Sequence, residues 1–253
     1  RVVPAAYVGT HVHFMILRPG DVGRVPTVWP DLPVGSVRLW DSGVRWADIE
    51  PSPGKWDFRR FDAYMEAAEA HATEVLYVLG STPKWASARA DEPCPYGSGC
   101  SAEPTNLADW EAYVRQVARR YKGRITAYEL WNEPKFSELG EAGKGGFYTG
   151  SVSTLVEMAS MARRVIDQEA PGTLLLSPGF VSNPERLALF LRSGGKHYVD
   201  VIAYHFYSSD ARRFAEQVLA VRRVMEKEGV GGLPLWNTET GLEIWPEGSA
   251  LPP

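Results

Sequence analysis

Two glutamates stand out as groups that could do chemistry together. Glu133 lies in Trp131-Asn132-Glu133-Pro134 and Glu239 in Trp236-Asn237-Thr238-Glu239, so each has an asparagine and a tryptophan close by. A lone glutamate at the end of a strand is most often an ion-pair partner. Two at one mouth can divide a reaction: one protonates a leaving oxygen while the other attacks carbon or activates water, which is what glycosidic-bond cleavage requires. Other polar groups recur at comparable places, namely His11, His13, Arg38, Asp41, Asn132, His205 and Tyr207. His205 and Tyr207 are two residues apart, so extended backbone turns them to the same side. Glu129 has the parity of Glu133 but lies deeper in its apolar run, and it reads as structural.

These groups need a frame. Short apolar runs rich in β-branched and aromatic residues occur at 7–14, 36–40, 74–79, 125–131, 173–177, 199–204 and 235–238, each bounded by glycine or proline. Helical spacing lies between several of them. Phe58, Phe61, Met65 and Ala68 share a face, as do Leu107, Val114, Ala118 and Tyr121 after a cap at Thr105 or Asn106. Leu155, Ala159, Ala162 and Ile166 follow Ser153, and Phe214, Val218, Val221 and Met225 stop before Gly229. Strands alternating with helices imply parallel pairing, in either a closed barrel or an open doubly wound sheet. The first run is not followed by a Gly-x-Gly-x-x-Gly turn and no Walker-type loop occurs, which weakens the open nucleotide-binding sheet.

The expected fold class is therefore α/β, a TIM-type (β/α)8 barrel, whose functional groups gather at the C-terminal ends of the strands. The polar residues named above fall at such ends. So do Trp40, Trp85, Trp131, Trp236 and Trp245, flat rings suited to stacking on sugars or to ordinary packing. Trp85 and Trp245 are the best subsite candidates. The glycine-rich segment 139–151 reads either as a rim over the cleft or as an inert surface insertion. Only seven runs are found, and fourteen residues follow Glu239. The expectation is one barrel domain over residues 1–253, with its eighth strand and helix missing from this sequence.

Composition narrows the partners. The 253 residues carry a net charge of −4 with no long basic run, so nucleic acid is not expected. No apolar stretch approaches the roughly 18 residues that span a bilayer. The N-terminus has no Met and no apolar leader core, which suggests a removed leader or a start inside a longer gene. Cys94 and Cys100 are too few for a thiolate metal site; a local disulfide and two free thiols both remain open. His11-Val12-His13 is also the kind of pair that metal-dependent barrel hydrolases use. The other histidines are only His71, His197 and His205, and the fifth run ends in Leu174-Leu175-Leu176-Ser177 without a ligand. No metal and no cofactor are expected.

Asn132-Glu133-Pro134 followed three strands later by Glu239 resembles the clan of retaining glycoside hydrolases that carry acid/base and nucleophile on strands four and seven. Val37-Arg38-Leu39-Trp40-Asp41, Trp46-Ala47-Asp48-Ile49-Glu50-Pro51, Gly54-Lys55-Trp56-Asp57-Phe58, Tyr204-His205-Phe206-Tyr207 and Trp236-Asn237-Thr238-Glu239 look like family 39. Within that family the likeness is to bacterial endoglycosidases of biofilm exopolysaccharides. The resemblance implies Glu133 as general acid/base, Glu239 as nucleophile and Asn132 on the sugar 2-hydroxyl. It places Arg38, His205 and Tyr207 around the substrate; His13, Asp41, Trp85 and Trp245 are further candidate sugar contacts by their own positions and types. It also implies a polysaccharide or oligosaccharide substrate; a monomer is expected, and a secreted or periplasmic location if the cysteines are bonded. Bland alternatives stand beside these roles: His205 as a core histidine, Tyr207 as a surface aromatic, Arg38 as a neutraliser of Glu129, and the whole as a non-catalytic sugar-binding barrel.

Overall fold

The computed structural model describes residues 7–13, 15, 27–31, 33–141, 146–208 and 210–241. The elements run β1 (Gly9–His11), β2 (Ser36–Leu39), α1 (Trp46–Ile49), α2 (Arg59–Ala70), β3 (Glu74–Leu79), α3 (Leu107–Arg120), β4 (Ala127–Leu130), α4 (Val152–Glu169), β5 (Leu174–Leu176), β6 (Phe180–Val181), α5 (Pro184–Arg192), β7 (Ile202–His205), α6 (Ala211–Lys227) and β8 (Leu235–Glu239). All the strand pairs are parallel. One sheet has the order β1-β2-β3-β4-β5 and the other β6-β7-β8. Parallel bridges Leu176↔Val201 and Asn132↔Gly179 join them. β5 and β6 are thus two pieces of a fifth stave, interrupted at residues 177–179, and the described residues form seven staves, one for each apolar run.

Closed barrel or open sheet is decided by reach. Neighbouring strands lie about 4.8 Å apart, so in a flat sheet β2 and β8, five staves apart, would be separated by about 24 Å. Instead Arg38 of β2 lies 2.7 Å from Glu239 of β8. His11 of β1 lies 3.3 Å from the Thr238 carbonyl, so the two edges of the array also approach each other. The array curls as a TIM-type barrel curls.

Helices cover its outside for the reason their spacing announces. α4 buries Val152, Leu155, Met158, Ala159, Ala162, Val165 and Ile166. α3 buries Trp110, Tyr113, Val114, Val117 and Ala118. Asn106 is the α3 cap, its side chain accepting from the Ala108 N–H at 3.0 Å, whereas α4 is capped by Ser151 and not Ser153. α5 had no counterpart in the helical spacing. It begins with an Asn183 cap and Pro184 at its first position, and its nine residues make too few turns to repeat a face across a helical window. Leu155→Ala removes a fully buried side chain between helix and barrel. It is expected to cost about 2–5 kcal/mol, read as a lower denaturant midpoint with an unchanged slope.

Candidate active site

The C-terminal ends of β2, β4, β7 and β8 converge on one buried guanidinium. Arg38 Nη2 donates to Glu129 Oε1 at 2.5 Å and to Asn132 Oδ1 at 2.7 Å, while Nη1 donates to Glu239 Oε2 at 2.7 Å. A buried cation needs such partners. Burial opposes ionisation of Glu129, but Arg38 and then His205 hold its carboxyl down to about 2. Glu129 is fully buried against Arg38, and Arg38 does more than neutralise it.

His205 stands between the glutamates. Its Nδ1 lies 2.9 Å from Glu133 Oε1 and 3.9 Å from Glu239 Oε2, and its Nε2 lies 3.8 Å from Glu129 Oε1. It is buried, yet it is bonded to a carboxylate rather than to backbone. Burial disfavours its charge, and the neighbouring Glu129 and Glu133 carboxyls outweigh that, so its pKa is raised. Tyr207, 43% exposed at the rim, donates to Glu239 Oε1 at 2.5 Å. Burial would raise the pKa of Glu239, but the His205 and Arg38 charges and the Tyr207 phenol hold it below the usual carboxylate range. Phenol and cation therefore select the ionised form of this group.

The backbone is shaped to bring these groups together. Trp131 and Glu133 have φ of 62° and 41°, both in the left-handed region that non-glycine residues avoid. Glu133 also precedes proline, which favours extended backbone. Conformations of this kind cost on the order of 1–3 kcal/mol each and need surrounding support. Support comes from Trp131 N to Leu79 O at 2.7 Å, Glu133 N to Gly179 O at 2.9 Å, and the Trp131 indole to Phe147 O at 2.5 Å. Between Tyr204 and His205 the pairing with β8 slips by one residue, so His205 faces Glu239 instead of Thr238. Neither the strain nor the slip leaves a mark in residue spacing. Gly179 is a further site residue that motif reading missed: a Cβ there would lie 2.3 Å from His205 Nε2 and 2.6 Å from Glu129 Oε1.

The remaining candidates fall around this centre. His13 is half-buried with its ring 5.8 Å from that of His11. Burial, then Arg38, lowers the pKa of His11 to about 4. Asp41 Oδ1 accepts from the Tyr96 phenol at 2.6 Å. Trp85 packs edge-on against Trp46 at 6.1 Å and donates its indole N–H to Glu50 O, which is the position of a packed ring with one half-exposed face. Trp245 lies outside the described residues. Segment 139–151 is described except for 142–145; Phe147 and Tyr148 of it pack into the core, so its described part is anchored. Cys94 and Cys100 are joined as a disulfide, with Cα atoms 5.7 Å apart.

Glu133, His205 and Glu239 each place a ligand atom within 4.8 Å of the others, a spacing that a divalent ion could span. The donor set does not suit one. Both Glu239 oxygens are already engaged by Arg38 and Tyr207, and a dication would sit beside a fixed guanidinium. The same spacing suits two carboxyls that act on one carbon centre.

No family model matches the chain. Solved structures do resemble it. A glucosidase from Croceicoccus marinus matches with a TM-score of 0.68 at 17% identity, over 91% of this chain and 50% of that one. The GH39 enzyme from Xanthomonas axonopodis pv. citri matches with 0.64 at 19% identity, over 84% of this chain and 46% of that one. A GH10 protein from Paenibacillus barcinonensis matches with 0.60 at 15% identity, over 97% and 72%. At these identities the likeness is one of fold, and the chain spans about half the length of the first two.

The buried pair makes a thermodynamic prediction. Because the folded pKa of Glu129 lies below its ordinary value of 4.5, its ionised form stabilises the fold above that pH. The contribution is lost as pH falls through about 2. Glu129→Gln is expected to lower neutral-pH stability by about 3–5 kcal/mol, since a buried cation loses its partner. It should also flatten the acid limb of a urea-midpoint-versus-pH curve.

Proposed function

We propose that this chain is the catalytic barrel of a retaining O-glycosyl hydrolase acting on a polysaccharide, with Glu239 as nucleophile and Glu133 as general acid/base. The observation that carries this reading is the carboxyl pair. An oxygen of Glu133 and an oxygen of Glu239 lie within 4.8 Å with His205 between them. That spacing fits the short separation of retaining pairs, about 5–5.5 Å, and leaves no room for the water that inverting pairs hold at about 6.5–9.5 Å.

The chemistry follows from the setting of each group. Glu239, held ionised, attacks the anomeric carbon as Glu133 gives its proton to the departing glycosidic oxygen. The glycosyl ester so formed is then cleaved by water, which loses its proton to Glu133 as the C–O bond to Glu239 breaks. His205 holds the Glu133 carboxyl in place. Asn132 Oδ1 is taken by Arg38, which leaves its amide N–H groups to donate to a sugar hydroxyl. The near-neutral chain suits a sugar polymer better than a polyphosphate, and the strand-end motifs favour a bacterial exopolysaccharide cut internally. No described helix is long and apolar enough to cross a membrane, and the disulfide agrees with a secreted or periplasmic location.

The test is a panel of bacterial exopolysaccharides and aryl glycosides, with products read by mass. Glu239→Ala should abolish hydrolysis while glycan binding persists, and azide should restore turnover as a glycosyl azide. A wild type that binds a glycan and cleaves none would make the barrel a binding module. The Tyr207 hydrogen bond makes a second prediction. Tyr207→Phe removes a donor that lowers the Glu239 pKa, so the acid limb of kcat/KM should move to higher pH; an unmoved limb would dissociate Tyr207 from the nucleophile.

A further inference from the structure

The loop between β3 and α3 carries a feature that the two glutamates do not explain. Its base is closed by short antiparallel pairing, Ser87↔Pro104, and by Thr105 N to Ala86 O at 2.7 Å. Inside it the Cys94–Cys100 disulfide clasps five residues, among them Pro95-Tyr96-Gly97, with Gly97 at φ 120°. Clasp, proline and glycine together restrict a short surface segment to one course.

That course delivers Tyr96 to the functional face. The Tyr96 phenol accepts from the Trp40 indole at 2.9 Å and donates to Asp41 Oδ1 at 2.6 Å. The Arg45 guanidinium lies 3.7 Å above its ring, and Phe147 stacks on it at 5.4 Å. Trp40 and Asp41 directly follow β2, two and three residues beyond Arg38, and the Asp41 carboxylate is near enough to add to the field on Arg38. Phe147 belongs to the loop after Glu133, and its carbonyl caps the Trp131 indole. Tyr96 therefore joins the mouths of β2 and β4. Among the described residues Asp41 Oδ2 takes no hydrogen bond. One oxygen is fixed by the protein and the other is left as an acceptor at the edge of the site.

Resting on the proposed glycosidase reading, we infer that Tyr96 is a positioning residue: the disulfide-clasped loop uses its phenol to aim Asp41 at a hydroxyl of a sugar unit next to the one being cleaved. The ligand is then an oligosaccharide longer than the reacting residue. Tyr96 acts through Asp41 and has no part in the bond-breaking step.

The experiment uses the full chain, the polymer it cleaves best from the panel, and the matching 4-nitrophenyl monoglycoside. Tyr96→Phe keeps the ring stacking and removes the hydroxyl. KM for the polymer should rise about tenfold, the scale of a lost hydrogen bond to a charged group, with kcat within about twofold. KM for the monoglycoside should move far less. Asp41→Asn should behave alike, and the double variant should be no worse than either single, since both remove one interaction. Cys94→Ser/Cys100→Ser, or dithiothreitol on the wild type, should give a partial rise in polymer KM. An unchanged polymer KM in Tyr96→Phe overturns the inference, as do additive losses in the double variant or a loss confined to kcat. If the wild type neither cleaves nor binds any glycan, the reading of the whole site falls and this inference falls with it; if the wild type is active and the variants match it, only this inference fails.

Discussion

The site is organised around the burial of one positive charge. Arg38 sits inside the barrel mouth with Glu129, Asn132 and Glu239 as acceptors. An unpaired guanidinium there would carry a desolvation penalty of several kcal/mol, so its partners are bound to one geometry. Glu129 takes two of its N–H groups and supplies the neutralising charge. Arg38 Nη1 is then left to hold Glu239 at a set angle, while Nη2 also donates to the Asn132 amide oxygen. Arg38 and Glu129 form an opposed pair at the bottom of the mouth, and Glu239 lies against the same guanidinium. A mouth that closed with one of the pair missing would leave an uncompensated charge in low dielectric, so the guanidinium that must be paired for folding also favours the ionised form of Glu239.

Positions of this kind need the barrel to close. Arg38 reaches across from the second stave to the seventh, and His205 joins the fourth, sixth and seventh. Strained backbone at Trp131 and Glu133 is held by hydrogen bonds to strands on either side, through Leu79 and Gly179. The broken fifth stave has a purpose in this arrangement. Residues 177–179 leave regular pairing where Gly179 must approach both His205 and Glu129, closer than any side chain would allow. Irregular backbone is concentrated where the charges meet.

Much of this was legible in the residues. Strand runs are apolar because parallel barrel strands are covered on both faces, and helices show their period because one face is wet. Glu133, Glu239, Arg38, Asn132, His205 and Tyr207 are brought into one network, since strand ends of a barrel meet at one mouth. What spacing could not convey is of two kinds. Contacts between a loop and a distant strand end, such as Tyr96 with Asp41 across 55 positions, follow no period. One-residue effects, such as the slip before His205 or the glycine at 179, depend on packing in three dimensions. α5 escaped for a third reason, because a nine-residue helix repeats its face too few times for periodicity to be read.

The gradient of exposure across the site explains how carboxyls of one chemical type can take different roles. Glu129 is fully buried, whereas the Glu133 and Glu239 side chains are 19% and 20% exposed and Tyr207 is open at the rim. Charges at the bottom are fixed once the chain folds and cannot respond to a ligand. The two carboxyls above them remain in contact with water, and on the proposed reading a sugar would cover them. Covering strengthens their interactions with Arg38, His205 and Tyr207, because the local dielectric falls while those groups are already oriented. On the proposed glycosidase reading, flat sugar faces would do this without bringing charge of their own. A phosphorylated ligand would bring an anion beside two carboxylates with the one buried guanidinium already engaged. A neutral ligand avoids that repulsion, which agrees with the proposed carbohydrate.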